Sequence, residues 1–395
     1  MNVAGLFAGI GGFELGLGRA GHETILLCEI QATAQAVLRA HFPDIPLKKD
    51  IVKLKALPSE VELVAAGFPC QDLSQAGLTA GLRGHRSGLI GEVFRLLEKR
   101  KKARRPVPWV VIENVPFMLQ LNGGRAIRAI IDEFERLGYR WAYRVIDSFS
   151  FGLAQRRERV YLVASVVGDP AAVLLADDRP LKRPPTNLKA YAHGFYWTEG
   201  LSGLGWAVDA VPTLKNGSTI GIASPPALLL PDGRLVKPGI RTAEQLQGFE
   251  SDWTEPAELV GKPSLRWSLV GNAASVPVPE WLGRRLCAPG DYDTDRDCPF
   301  LTNGKAPKAA RYDGTSRFEV EIGTDPVGRR PKHIMDIMGN DFTLLSERAT
   351  AGFYSRAQRA KLRFPEGFLD AVAKHLENMS GKTPSAVPDT EKLAA

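Results

Sequence analysis

Apolar and polar positions follow two periods along the first 165 or so residues. Val3–Phe7 is a short apolar run and predicts a buried strand; Gly9–Gly12 predicts a turn and Phe13–Arg19 a helix. Glu23–Cys28 predicts a second strand, Gln31–His41 an Ala-rich helix, and Val61–Ala66 a strand ending at Gly67. Leu89–Lys101 carries Val93, Leu96 and Leu97 on one helical face, and Ala126–Leu137 repeats Ile127, Ile130, Ile131 and Phe134 at the same spacing. Val107–Ile112, Tyr143–Phe149 and Arg159–Val167 are β-branched or alternating and predict strands. Alternating strands and helices imply an α/β fold with a mainly parallel sheet covered on both faces. The last two strands are joined by a loop alone, so they are expected to pair antiparallel at one sheet edge.

Beyond Val167 the periodicity fades. Pro170, Pro180, Pro184 and Pro185 interrupt regular structure, and Gly200–Gly239 reads as an irregular or β-rich insert. Arg241–Gly248 and Pro279–Leu286 return to helix; Pro289 to about Gly328 is loose and Asp/Gly-rich; Leu344–Glu377 is helical; and a polar tail from Ser380 is expected to be disordered. The expected units are therefore residues 1–167, an insert at 168–240, returning helices at 241–289, an extension at 290–379 and the tail at 380–395.

Composition narrows the class. With 44% hydrophobic and 24% charged residues, the chain is globular rather than disordered or fibrous. The net charge of +7 permits a polyanionic partner without requiring one. Cys28, Cys70, Cys287 and Cys298 form no C-x-x-C pair, so neither a zinc site nor a disulfide framework is expected, and a reducing cytoplasm is the default. No apolar run is long enough to predict a membrane span.

Four segments can carry chemistry. In Phe7-Ala8-Gly9-Ile10-Gly11-Gly12 the glycines let a ligand approach the backbone at a helix N-terminus. Glu14 replaces the third glycine of a dinucleotide fingerprint, while Glu29 ends the second strand, where α/β folds place a ribose-binding acid. The pattern suits an adenosine cofactor without a pyrophosphate, or simply a tight turn with a capping acid. Gly67-Phe68-Pro69-Cys70 lies at a strand's carboxyl end; its thiol is a candidate nucleophile or a small buried hydrophobe. Glu113, in Glu113-Asn114-Val115, ends another strand at the same edge; partial desolvation would raise its pKa and let it hold a proton, or it caps and pairs. In Gln155-Arg156-Arg157-Glu158-Arg159, alternation sends Arg157 and Arg159 to one face, suited to an oxyanion, a base carbonyl or a phosphate, or to surface ion pairs.

In this order the segments resemble the cytosine-C5 DNA methyltransferase family of bacterial and phage type. Further blocks agree: Asp50-Ile51, Arg86-Ser87-Gly88-Leu89, Arg241–Phe249 and Gly271-Asn272-Ala273-Ala274-Ser275-Val276, so the likeness spans residues 1–285. Ala243 and Ala274 depart from the family's usual residues. The resemblance implies a Rossmann-like S-adenosylmethionine-dependent sheet with a smaller target-recognition domain in the insert, and a C-terminal extension beyond it. It implies that Cys70 attacks cytosine C6, Glu113 engages N3, Arg159 contacts O2 and Arg157 supports the site near the sugar-phosphate. It assigns the cofactor to Phe7, Ala8, Gly9, Ile10, Gly11, Gly12, Glu29, Ile30, Asp50, Ile51, Pro69, Leu89 and Asn272. It implies double-stranded DNA as partner, a flipped cytosine, no metal, no membrane, a monomer, and a cytoplasmic, nucleoid-associated location, in the setting of restriction-modification. Alternatives are an RNA cytosine methyltransferase, which the lack of a Cys-Phe-Thr tripeptide disfavours, and a catalytically silent DNA-binding regulator, which intact Cys70 and Glu113 disfavour. The basic clusters Arg95–Arg105 and Arg329–Arg363 are candidate phosphate contacts, or solvated faces.

Overall fold

The computed structural model describes residues 1–69, 88–201, 203–215, 226–300 and 305–381. The predicted alternation is realised: β1 (Asn2–Leu6), α1 (Gly12–Arg19), β2 (Glu23–Cys28), α2 (Ala32–His41), β3 (Leu47–Lys48), β4 (Leu63–Ala66), α3 (Leu89–Lys102), β5 (Trp109–Asn114), α4 (Arg125–Leu137), β6 (Arg140–Asp147), β7 (Gln155–Arg156) and β8 (Glu158–Ser165). β3, β2, β1, β4 and β5 lie side by side and parallel; β8 then pairs antiparallel with β5, and β6 antiparallel with β8.

Two layers of helix cover the sheet. On one face α3 and α4 bury Val93, Leu96, Leu97, Ile127, Ile130, Ile131 and Phe134 against Ala4, Leu6, Val64, Val110 and Ile112. Each such side chain contributes roughly 1.5–3 kcal/mol. The α4 stripe ends where Gly138 takes a left-handed conformation (φ 87°) that a Cβ would strain. On the other face Phe13 and Leu17 of α1 pack with α5 (Pro170–Leu174) and α8 (Pro277–Cys287) against Val3, Ala65 and Val111. α1 and α8 approach so closely that a Cβ on Gly12 or Gly16 would lie 2.4 Å from the Ala274 carbonyl oxygen or 2.5 Å from that of Val276.

The insert supplies β9 (His193–Phe195), β10 (Ala207–Val208), β11 (Val211–Pro212), β12 (Ala227–Leu229) and β13 (Leu235–Pro238), followed by α6 (Ile240–Gln245) and α7 (Leu265–Asn272). β11 pairs with β7, tying the insert to the catalytic sheet.

Three expectations need correction. The β6–β8 pair is not an edge, and Pro289–Gly328 is not loose. β14 (Asp297–Pro299), β15 (Ala309–Tyr312) and β16 (Arg317–Val320) continue the large sheet: β15 pairs with β6, and β14 is the outer strand on that side. These strands are three or four residues long. Arg311 pairs with Asp297, and Arg317 with Asp132 and Glu135, so half-buried strands that extend the sheet read as polar sequence. The rest of the extension, α9 (Ile334–Met338), β17 (Phe342–Leu344), α10 (Glu347–Gln358) and α11 (Phe368–Ser380), joins the insert. β17 pairs with β13 in a second, five-stranded sheet, and Phe353 and Phe368 pack on Phe195. The single helical stretch expected over Leu344–Glu377 is thus two helices after a short strand. The tail beyond Gly381 lies outside the described residues. Among the described residues no helix is long and apolar enough to cross a membrane.

Candidate active site

The carboxyl ends of β1, β4 and β5 converge, as parallel α/β sheets require of their functional edge. Glu113 sits there, 8% exposed. Burial pushes its carboxyl up despite the nearby Arg159 and Arg157 guanidinium groups, so desolvation wins over attraction. Arg159 Nε lies 3.0 Å from Glu113 Oε1, a close ion pair that partly offsets the cost of burying the carboxyl. The carboxyl is thus held in place. Its Oε2 faces Gly67, where a Cβ would stand 3.5 Å away. Asn114 fixes the next element: its Nδ2 donates to the Phe68 carbonyl at 3.0 Å, and its Oδ1 accepts from the Val115 amide. The acid and the Phe68-Pro69 turn are therefore braced together. Pro69 is exposed. Cys70, with Ser74 and residues 75–87 including Arg86 and Ser87, lies outside the described residues.

The glycine loop is built from its backbone. Phe7 takes a left-handed φ of 56°, turning the chain out of β1. Ala8 donates to the Cys28 carbonyl, and Gly11 to that of Ala8. Glu29 accepts from the Gly9 amide at 2.8 Å through Oε2 and from the Gln31 amide at 2.8 Å through Oε1. Each of its oxygens keeps a lone pair for a hydroxyl donor. Phe7, Ala8 and Gly9 are half-buried, whereas Ile10, Gly11 and Gly12 are buried behind them. The Ile10 side chain belongs to a core cluster with Val37 and Trp253, whose Nε1 donates to the Ile10 carbonyl. Ile30 is 73% exposed. Asp50 caps the following turn by accepting from Val52, and Ile51 is buried with its carbonyl held by Arg95. Leu89 begins α3 beside the core, and Asn272 is exposed at the end of α7.

Arg157 differs most from expectation. It lies between β7 and β8 with 1% exposure. Its Nη1 donates to the Leu214 carbonyl, and its Nη2 to those of Gly271 and Ala273. Burial, then Arg159, lowers its pKa to about 9. A guanidinium so committed ties the insert to the 271–276 block. Direct support of a sugar-phosphate, as the resemblance implied, does not fit this placement. Gln155 extends the tie, donating to the Leu246 carbonyl and the Gln247 side chain, while Ser275 donates to Gln247.

The Arg95–Arg105 cluster is also largely spent. Arg95 donates to the carbonyls of Ile51 and Leu54, Lys99 to Lys55, and Arg100 to those of Pro58, Ser59 and Val61. These residues clamp the 51–61 segment. In the other cluster, Arg356 donates to the carbonyls of Trp197 and Glu199 and His333 pairs with Asp209, but Arg329, Arg330, Lys332, Arg348, Lys361 and Arg363 are exposed.

One residue had a sequence signal that went unused. Glu14, noted only for spoiling a dinucleotide pattern, is 2% exposed, and neither carboxyl oxygen has a partner. Burial, reinforced by Glu29, pushes its pKa up to about 8. Cys28 is buried as well, its thiol pushed up to about 12, which rules it out as a nucleophile at neutral pH.

A family model for the C-5 cytosine-specific DNA methylase matches residues 1–189. The Type II methyltransferase M2.BsuMI of Bacillus subtilis is 43% identical over 383 residues, covering 95% of this chain and 98% of that relative. This chain belongs to the cytosine-C5 DNA methyltransferase family. A more distant member, the Type II methyltransferase M.NgoBI of Neisseria gonorrhoeae, is 28% identical over 72% of this chain and 92% of its own length. The S. pombe Dnmt2 methyltransferase structure superposes with a TM-score of 0.52 at 16% identity, covering 72% of this chain and 98% of that one, and so shares the fold. The methyltransferase-type sheet expected from the sequence is thereby established, and the family fits the Glu113–Arg159 pair and the glycine loop.

Proposed function

We propose that this chain transfers a methyl group from S-adenosylmethionine to C5 of a cytosine flipped out of a specific duplex DNA sequence. The observation that carries the reading is Glu113: a buried glutamate with a raised pKa, braced by Asn114 to the turn that leads into Cys70. The glycine loop fits the cofactor. Its half-buried backbone and the two free lone pairs of Glu29 suit an adenosine with ribose hydroxyls. When bound, the cofactor supplies an electrophilic methyl group.

The chain's own residues do the rest. Cytosine C5 is a weak nucleophile. Addition of the Cys70 thiolate to C6 moves electron density to C5, and Glu113 stabilises that density by sharing a proton with N3. Arg159, next to Glu113, serves the base's O2 and holds the carboxyl in place. After methylation the C5 proton leaves and the C6–sulfur bond breaks, which returns Cys70 and leaves 5-methylcytosine. Arg157 is a positioning residue in this scheme. The exposed Arg329, Arg330, Lys332, Arg348, Lys361 and Arg363 supply phosphate contacts from the side of the five-stranded sheet.

The test is incorporation of labelled methyl from S-adenosylmethionine into genomic DNA, with bisulfite sequencing to place it. Wild type should label cytosines within one sequence context, and Cys70→Ser should not. Label on adenine, on RNA alone, or undiminished in Cys70→Ser would refute the reading.

A further inference from the structure

Buried carboxyls without a partner are costly, and proteins rarely keep one unless something arrives to meet it. Glu14 is such a group. It lies in the first turn of α1, directly after the glycine loop, and reaches back under β1: a Cβ on Gly5 would fall 1.9 Å from its Oε1. Gly5 therefore makes room for the carboxyl beside the strand end from which the loop departs. Gly5 pairs with Ala65, two residues before Gly67, so Glu14 faces the sheet surface that carries Gly67 and Glu113.

No cation meets it among the described residues. Of the charged groups on elements packed around α1, Glu29 adds repulsion. Glu280 of α8 is tied to Arg284, and Glu113 of β5 to Arg159. His22, beyond the far end of the helix, shares a hydrogen bond with the Gly283 carbonyl.

We infer that Glu14 is the acceptor for the α-ammonium group of the cofactor's methionine moiety, so that cofactor binding discharges a proton from this carboxyl. The inference rests on the S-adenosylmethionine reading above. Glu29 is committed to the ribose end, which leaves the amino-acid end without an assigned anionic partner. The α1 N-terminus beside Glu14 suits the carboxylate of the same moiety. The proton balance is simple: the neutral acid loses one proton to solvent, and the resulting carboxylate pairs with the incoming ammonium.

Calorimetry with two ligands separates the possibilities. S-adenosylhomocysteine carries the amino-acid end; 5′-methylthioadenosine lacks it. Titrations at pH 7 in two buffers of different ionisation enthalpy count protons. Wild type should release about one proton on binding S-adenosylhomocysteine, with affinity rising by up to about tenfold per pH unit between pH 6 and 8. Methylthioadenosine should bind with no such release. Glu14→Gln should abolish both the release and the pH slope, and should leave methylthioadenosine affinity unchanged. If wild type binds both ligands without proton release, or Glu14→Gln keeps the slope, the inference is wrong and the cofactor reading stands. If Glu14→Gln weakens both ligands equally, Glu14 only shapes the loop. If wild type binds neither ligand, the cofactor reading fails and this inference with it.

Discussion

Two buried glutamates lie on one face of the sheet, and they are solved differently. Around Glu113 the protein provides Arg159 at 3.0 Å, a second guanidinium behind it in Arg157, and a brace through Asn114. Around Glu14 it provides burial, the repulsion of Glu29 and, on the favourable side, only the residue's own backbone amide. Both carboxyls are raised by burial, yet only the first keeps a resident counter-charge. The difference teaches that a raised carboxyl can be poised for chemistry or held in reserve for a charged ligand, and that the partner distinguishes the two. A group that must give and recover a proton in every cycle needs a fixed local field. A group that waits for a cation is better left without one.

The sharpest way to break this comparison is to neutralise each acid in turn. Glu113→Gln should lower kcat by about 10²–10⁴-fold while the dissociation constant of S-adenosylhomocysteine stays unchanged. Equal loss of binding and turnover would mean that the two acids do not act separately. Stability gives the next largest effect, and its sign follows from linkage. The Glu14 pKa is raised from 4.5 to about 8 in the folded chain, so between those values the unfolded state holds fewer protons than the native one. Stability must then fall as pH rises through that window, by about 3 kcal/mol from pH 5.5 to 7.5 for this group alone. Urea titrations at the two pH values should show that difference in wild type and lack it in Glu14→Gln. A parallel pH trend in both proteins would remove Glu14 from the account.

Arg159→Gln should act more mildly. Without the guanidinium the Glu113 pKa rises further, so the alkaline limb of the kcat/KM profile moves to higher pH while activity drops about 10- to 100-fold. A limb that stays in place would mean another group sets it. The smallest effects belong to the outer charges. Replacing Lys361 or Arg363 by Ala should reduce the salt slope of DNA binding by about one each if they meet phosphate. Replacing Lys99, which donates to the Lys55 carbonyl, should leave that slope alone.

β1, β2, β4 and β5 of the parallel half were legible because each is a short, largely apolar run with an amphipathic helix after it; the two-residue β3 was not. The glycine loop, Glu29, Glu113 and Arg159 were legible because each ends or begins such a run. The antiparallel half was legible only in part: β6 and β8 and their antiparallel pairing were expected, whereas β14, β15 and β16 were not. β15 and β16 are short, and Arg311 and Arg317 read as surface charge although each is consumed by a carboxylate elsewhere in the chain. Arg157 shows the same limit at the site itself. Strand alternation gave its face, but the Leu214, Gly271 and Ala273 carbonyls that occupy it lie 57 to 116 residues away and have no local signature. The cluster that ends α3 read as phosphate contacts or a solvated helix end for a related reason: the partners of Arg95, Lys99 and Arg100 at Ile51–Val61 are backbone carbonyls, which composition does not reveal.

The strand β17 has a consequence for how target choice can be inherited or engineered. It closes the five-stranded sheet by pairing Phe342–Leu344 with Val236–Pro238, although a hundred residues and a return through the catalytic sheet separate the two. If the five-stranded unit reads the target, as the resemblance implies for the insert, the reader is written in the gene as two separate passages. A crossover that moves residues 168–240 alone would deliver a sheet missing its outer strand and the aromatic cover of Phe353 and Phe368. Under that reading, exchange of specificity between relatives of this architecture has to carry both passages together, so recombination should reshuffle their targets less freely than in enzymes whose reader is one uninterrupted cassette.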